Sequence, residues 1–230
     1  MSKIAIMGAM PEEIEPLLAK VENVKKIEYA DNNYYEATYK GKELVIAYSK
    51  IGKVFSSLTA STLLEKFGCT TLLFSGVAGA INPSLKIGDL IIADKLCQHD
   101  LDITVFGHPH GFVPEGAVFV ESDVALRKIA KEVASKNGLS LIEGTIATGD
   151  QFVASSERKA FIESTFNADA LEMEGASVAV VCDALNVPFF ILRAISDTAS
   201  DDANIDFDEF MIGSAKISAN FILDMVESIE

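Results

Sequence analysis

With 230 residues, 49% of them apolar and 23% charged, the chain has the material for one sizeable buried core and is unlike a disordered or fibrous sequence. Its 34 acidic against 19 basic residues give a formal charge of −15, which repels phosphate backbones and anionic lipid surfaces, so nucleic acid and membrane are poor partners. Only three of the basic residues are arginines, Arg127, Arg158 and Arg193, too few for a site built from several guanidinium forks around a phosphate. Cys69, Cys97 and Cys182 are odd in number and widely spaced, which fits neither a disulfide framework nor a zinc site and points to a reducing, cytoplasmic setting. The opening apolar run from Ile4 to Met10 meets Pro11-Glu12-Glu13 at once, too soon for an export signal. The longest uncharged stretch, Phe67 to Leu85, is broken by glycines and Pro83, as a strand and loop would be and a membrane span would not.

In chain order, short β-rich runs alternate with longer helical patterns, the signature of strands joined by crossover helices. Ile4 to Gly8 reads as a strand and Pro11 to about Val21 as a helix. Tyr34 to Lys40 and Glu43 to Ser49 flank Gly41-Lys42 as a β-hairpin, and Val54 to Phe67 carries helical periodicity. Strands follow at Thr71 to Ser75 and Asp89 to Asp94. The Gly/Pro/His-rich stretch from His99 to Gly116 reads as a long loop, and such loops are commonly lids, binding elements or interface arms. A helix from about Ser122 stops at Gly138; then come a strand near Thr145, helices from Ser155 to Phe166 and Gly175 to Leu185, and a strand from Phe189 to Ile195. In the last helix Asp206 and Glu209 read as a capping-box variant, with Phe210, Ile217, Phe221 and Met225 turned inward. No linker or repeat divides the chain, so residues 1–230 are expected to form a single α/β domain.

Four polar clusters sit where strands are expected to end: Gly8 to Glu13, Gly76 to Gly79, Glu172 to Glu174, and Ser196-Asp197. Ligands of open α/β sheets bind outside the carboxyl ends of strands, so all four are expected to face one cleft. Gly76-Val77-Ala78-Gly79 lets backbone approach a ligand, or serves as simple turn chemistry. Neither a dinucleotide fingerprint nor a Walker A pattern occurs. Glu12, Glu13 and Glu15 lie in a first helical turn, where the macrodipole alone accounts for carboxylates. Glu172-Met173-Glu174-Gly175 brackets a methionine with acids, one of which would suit the two hydroxyls of a ribose. Arg193, inside an apolar strand, requires an acidic partner in Glu172 or Glu174. Asp197 at the strand tip is either a helix cap or, partly desolvated, a general acid. His99, His108 and His110 beside Asp100 and Asp102 lack metal-ligand spacing, and a solvated or interface loop is the reading, with no metal.

Taken together, Gly8-Ala9-Met10-Pro11-Glu12-Glu13, Ser75-Gly76-Val77-Ala78-Gly79, Gly149-Asp150-Gln151-Phe152-Val153, Glu172-Met173-Glu174-Gly175 and Arg193-Ala194-Ile195-Ser196-Asp197 closely resemble the 5′-methylthioadenosine/S-adenosylhomocysteine nucleosidases of the purine nucleoside phosphorylase superfamily. The likeness spans essentially the whole chain. It implies a single α/β domain with a mixed central β-sheet flanked by helices, hydrolysis of the N-glycosidic bond of 5′-thioadenosines, a homodimer and no cofactor. In some bacterial relatives the substrates extend to 6-amino-6-deoxyfutalosine of a menaquinone route. On the resemblance, Asp197 is the acid that protonates N7 of adenine, and Glu13 the carboxylate that orients and deprotonates water. Glu174 is the ribose ligand with Met173 beneath the sugar, Phe152 stacks on the purine, Val153 offers backbone to the adenine edge, Ser196 supports Asp197, and Gly79 lines the cavity. Glu172 and Arg193 join the substrate-binding set. Ile51 and Phe207 are apolar walls around the 5′ substituent, and Ile103, Phe106 and Pro114 form the segment lent to the neighbouring subunit. Pro11 and Val77 depart from the family's pattern, in place of an acidic and a hydroxyl residue respectively. An oxocarbenium-like transition state needs an acid on the leaving base and a base on the incoming water, as in inverting glycosidases. A phosphorylase would instead hold an anionic nucleophile with arginines, and a non-catalytic adenosine sensor would bind the nucleoside without releasing adenine.

Overall fold

The computed structural model of the chain describes residues 3–197 and 203–229, and of residues 203–209, 211 and 212 the backbone alone. Its elements are β1 (Lys3–Gly8), α1 (Pro11–Leu18), β2 (Glu22–Tyr29), β3 (Asn32–Tyr39), β4 (Lys42–Tyr48), α2 (Lys53–Ser61), β5 (Thr71–Ala80), β6 (Leu90–Gln98), β7 (Phe119–Glu121), α3 (Val124–Asn137), β8 (Leu141–Thr148), α4 (Ser156–Phe166), β9 (Ala170–Glu172), α5 (Gly175–Ala184), β10 (Phe189–Asp197) and α6 (Ala203–Ser228). Among the described residues no helix is long and apolar enough to cross a membrane.

The strands form one mixed sheet in the order β10-β6-β8-β9-β5-β1-β4-β3-β2, and β10 also pairs with β5. Strands β5, β10, β6, β8 and β9 therefore close into a ring, from which β1, β4, β3 and β2 run out as an open wing. Alternation along β1 and β5 divides the core. Ala5, Met7, Leu72 and Phe74 pack with α2 and α5 residues such as Ala60, Val178 and Cys182. Ile4, Ile6 and Leu73 pack on the other face with Ile14 and Leu17 of α1, Leu126 of α3 and Phe221 of α6. Strands covered on both faces carry near-continuous apolar runs, as the fully buried β10 does from Phe189 to Leu192. Local chemistry sets the helix ends: Asp123 accepts the Leu126 N–H at 2.8 Å and Ser155 the Arg158 N–H at 3.3 Å, while Gly138 closes α3 at φ +65°.

Several sequence expectations need correction. The first helix ends at Leu18, and Glu22–Tyr29 is an unexpected strand. It is an edge strand exposed along nearly its whole length, so no apolar alternation marks it. Gly76 to Gly79 continue β5 rather than forming a loop, because β10 pairs along all four and β9 pairs with Gly79 and Ala80. The helix from Lys53 changes to a π-helical turn over Thr62–Lys66. The long loop holds a 3-10 turn at Thr104–Phe106, and His99, expected in a solvated or interface loop, is buried within the subunit at 2% exposure. Asp206 and Glu209 lie within α6 rather than at its start, their side chains falling outside the described residues. Phe210 and Ile217 are exposed, whereas Phe221 and Met225 are buried.

Candidate active site

The ends of β1, β5, β9 and β10 and the segments after β4 and β8 surround a cavity of about 420 Å³, walled by the four clusters expected to share a cleft. Ala9, Met10 and Glu13 come from the β1–α1 turn, Gly76 to Gly79 from β5, Leu171 to Glu174 from β9, and Arg193, Ser196 and Asp197 from β10. Ile51, Gln151, Phe152 and Val153 complete the walls. Phe207 belongs to α6, but its side chain lies outside the described residues. Ile103, Phe106 and Pro114 do not line this subunit's cavity. Sequence reading had not singled out Gln151 or Leu171 as walls, although Gln151 stands inside one of its motifs and Leu171 next to another.

Glu13 is 3% exposed although it sits in a first helical turn. Pro11 at the first helical position sets the turn, and Glu13 reaches back so that one carboxylate oxygen accepts the Ala9 and Met10 N–H groups, half of a capping box. The other oxygen accepts the Val77 N–H at 3.2 Å. Gly76 makes room, since a Cβ there would fall 2.9 Å from Glu13 Oε1 and 3.1 Å from Arg193 Nη1. Burial raises the proton affinity of Glu13 against the pull of the Arg193 guanidinium and these three N–H groups.

Arg193 is fully buried, its guanidinium over the Phe74 ring at 4.1 Å and its Nη2 donating to Glu172 Oε2 at 2.6 Å. Glu172 also accepts the Thr148 hydroxyl and the Glu174 and Gly175 N–H groups, the last at 2.7 Å. Both residues line the cavity, yet these polar atoms engage the protein itself. Glu172 thus emerges as the acidic partner that Arg193 required. Glu174 accepts the Gly52 N–H at 2.9 Å, a donor that sequence reading missed because it comes from a glycine after a distant strand. Burial and the neighbouring charge of Glu172 push Glu174 up to about 8, against Arg193 and the Gly52 N–H.

A register shift between Ile195 and Asp197 interrupts the pairing of β10 with β5. Bulges re-aim side chains, and here two consecutive residues, Ser196 and Asp197, both line the cavity. Ser196 Oγ donates to Asp197 Oδ2 at 2.9 Å. The three cysteines are free and buried, and burial pushes each thiol up to about 12, so none is poised as a nucleophile.

Residues 3–227 match the phosphorylase superfamily. An aminodeoxyfutalosine nucleosidase of Campylobacter jejuni is 61% identical over 229 residues, covering all of both chains. The chain belongs to the nucleosidases of the phosphorylase superfamily. Among solved nucleosidase structures, the 5′-methylthioadenosine/S-adenosylhomocysteine nucleosidase of Campylobacter jejuni is 60% identical and superposes at a TM-score of 0.96 over the whole of both chains. A mutant of the Helicobacter pylori nucleosidase with 5′-methylthioadenosine in its active site is 47% identical, with a TM-score of 0.97 and full coverage of both chains.

Proposed function

We propose that this nucleosidase hydrolyses the N-glycosidic bond of adenine nucleosides altered at the 5′ position, namely 5′-methylthioadenosine, S-adenosylhomocysteine and 6-amino-6-deoxyfutalosine. The observation that carries the reading is the presence in one cavity of Glu13, buried with raised proton affinity, and Asp197 at the bulged end of β10. Glu13 accepts the proton of the attacking water, and Asp197 gives one to N7 as adenine leaves. Glu174 holds the ribose hydroxyls above Met173. Phe152 stacks on the purine, Val153 meets its edge through backbone, Gly79 lets the ligand close to β5, and Ile51 stands at the 5′ side. Among the described residues, four carboxylates line the cavity against one arginine, itself paired with Glu172, a field that favours water over a phosphate nucleophile.

The 5′ wall is apolar, and such walls discriminate weakly between small substituents. That supports more than one substrate, as do the two activities named for relatives at 60% identity or more. The subunits pair as a homodimer. Ile51, Val54, Phe55, Leu58, Val105, Phe106 and Phe152 are large apolar side chains exposed on this subunit, the kind of surface that self-association covers. In the dimer, Ile103, Phe106 and Pro114 of the partner subunit close the 5′ side. Adenine release in phosphate-free buffer tests the reaction: release from 5′-methylthioadenosine and 6-amino-6-deoxyfutalosine without phosphate is expected, and strict dependence on phosphate with a ribose 1-phosphate product overturns it.

A further inference from the structure

At one edge of the cavity a second polar cluster ties three distant parts of the chain together. Lys53 at the start of α2 donates through Nζ to Asp100 Oδ1 at 2.6 Å and to Gln98 Oε1 at 3.2 Å. The other oxygen of Asp100 accepts the backbone N–H of Asp150 at 2.8 Å. Asp150 returns the contact, its Oδ1 accepting the backbone N–H of Lys53 at 2.8 Å. Lys53 and Asp100 are mostly buried, at 19% and 14% side-chain exposure, so the pair lies between the well-solvated and the fully desolvated regime. Gly52 fits only because it lacks a side chain: its φ is +99°, and a Cβ would fall 3.0 Å from Asp150 Oδ1.

The neighbours of this knot give it a role. Gly52, beside Lys53, donates the N–H that holds Glu174. Gln151, Phe152 and Val153, directly after Asp150, also wall the cavity. We infer that Asp100 is a positioning residue that, through Lys53 and Asp150, fixes the spacing between the ribose-holding end of the cavity at Gly52 and Glu174 and the base-holding segment at Gln151 to Val153. Asp100 itself is not a cavity wall. This inference rests on the proposed hydrolysis only for the meaning of the two ends. Because both ends hold the ligand before and during reaction, loosening the knot weakens ground-state and transition-state binding together and raises KM more than it lowers kcat.

The test compares Asp100→Asn, Lys53→Met and their combination with Arg127→Met, which breaks the Arg127–Glu143 ion pair away from the cavity. Asparagine keeps one acceptor oxygen where the carboxylate has two, so Asp100→Asn is expected to raise KM for 5′-methylthioadenosine about tenfold, the loss of one charge-assisted hydrogen bond, with kcat changed less than KM. The double variant is expected to be no worse than the poorer single one, because both remove the same coupling. Arg127→Met is expected to lower the unfolding midpoint without moving KM. The affinity of each variant for adenine is read in parallel by calorimetry and is expected to weaken for Asp100→Asn, Lys53→Met and their combination but not for Arg127→Met. Failure of the parent protein to release adenine would count against the proposed reaction, and adenine affinity would still decide the inference. An Asp100→Asn variant with parental KM and adenine affinity, whatever its melting behaviour, overturns it, as do losses in the double variant that multiply.

Discussion

At the floor of the cavity Glu13, Glu172 and Glu174 are buried, and backbone N–H groups, the Thr148 hydroxyl or Arg193 bind each of them. At its mouth Ile51 is 56% and Phe152 52% exposed, and away from the cavity walls Val54, Val105 and Phe106 stand out still further. The floor is a set of charged groups held rigid by one chain, while the mouth is apolar surface that a single subunit leaves in water. The chemistry is thus preorganised within the subunit, and in the proposed dimer closure over the 5′ end falls to the second subunit.

The sharpest way to break this comparison is to remove the floor's acids. Asp197→Asn retains a side chain able to accept hydrogen bonds but cannot give a proton, so hydrolysis of 5′-methylthioadenosine is expected to fall about 10²- to 10⁴-fold, against about 1 kcal/mol for a lost cap. Normal melting with near-parental activity would require another acid. Glu13→Gln is expected to lower kcat with little change in KM, whereas Glu174→Gln alters both; identical kinetics for the two would end the division between water activation and ribose binding.

The exposed apolar surface is tested by charge. Leu58→Glu, on the exposed face of α2, is expected to weaken self-association by about 2 kcal/mol, roughly thirtyfold, as burying a charge in an apolar interface does. Sedimentation across a concentration series reads this directly. A parent protein that stays monomeric throughout would remove the dimer, and an unaffected variant would move the interface elsewhere.

A further effect is on stability against pH. Glu174 rises from 4.5 to about 8 in the folded protein, so between those values the native state keeps a proton that the unfolded chain has released. The contribution of Glu174 to stability therefore declines as pH rises through that window and levels off above it, by at most about 1.4 kcal/mol per pH unit. Chemical denaturation at pH 5, 6.5 and 8 should show the parent losing stability relative to Glu174→Gln. Parallel curves would mean that Glu174 ionises normally.

The floor was far more legible in the sequence than its supports. Glu13, Glu172, Glu174 and Asp197 each stand in a short motif where a strand ends, so local pattern placed them. Gly76 to Gly79 read as a turn because glycine opposes strand propensity; close approach of Glu13 and Arg193 explains the glycine at 76. β2 was hidden by its polarity and β9 by its three-residue length. The Lys53–Asp100–Asp150 knot and the Gly52 bond to Glu174 join residues far apart in the chain, and no local spacing encodes such pairs.

The closed ring of strands carries a consequence for how the protein comes into being. Strand β10 is the last to be made, and it seals the ring by pairing with β5 and β6, laid down long before it. Until Phe189–Asp197 has left the ribosome there is neither a closed ring nor an Asp197 opposite Glu13. The strand pairs of the wing are all made before β10, although α6, made later still, packs on one face of that wing. Long-range closure of this kind is slow relative to local pairing, so a nascent chain ending before Phe189 has an open ring, and the nucleoside site appears only once β10 has been made.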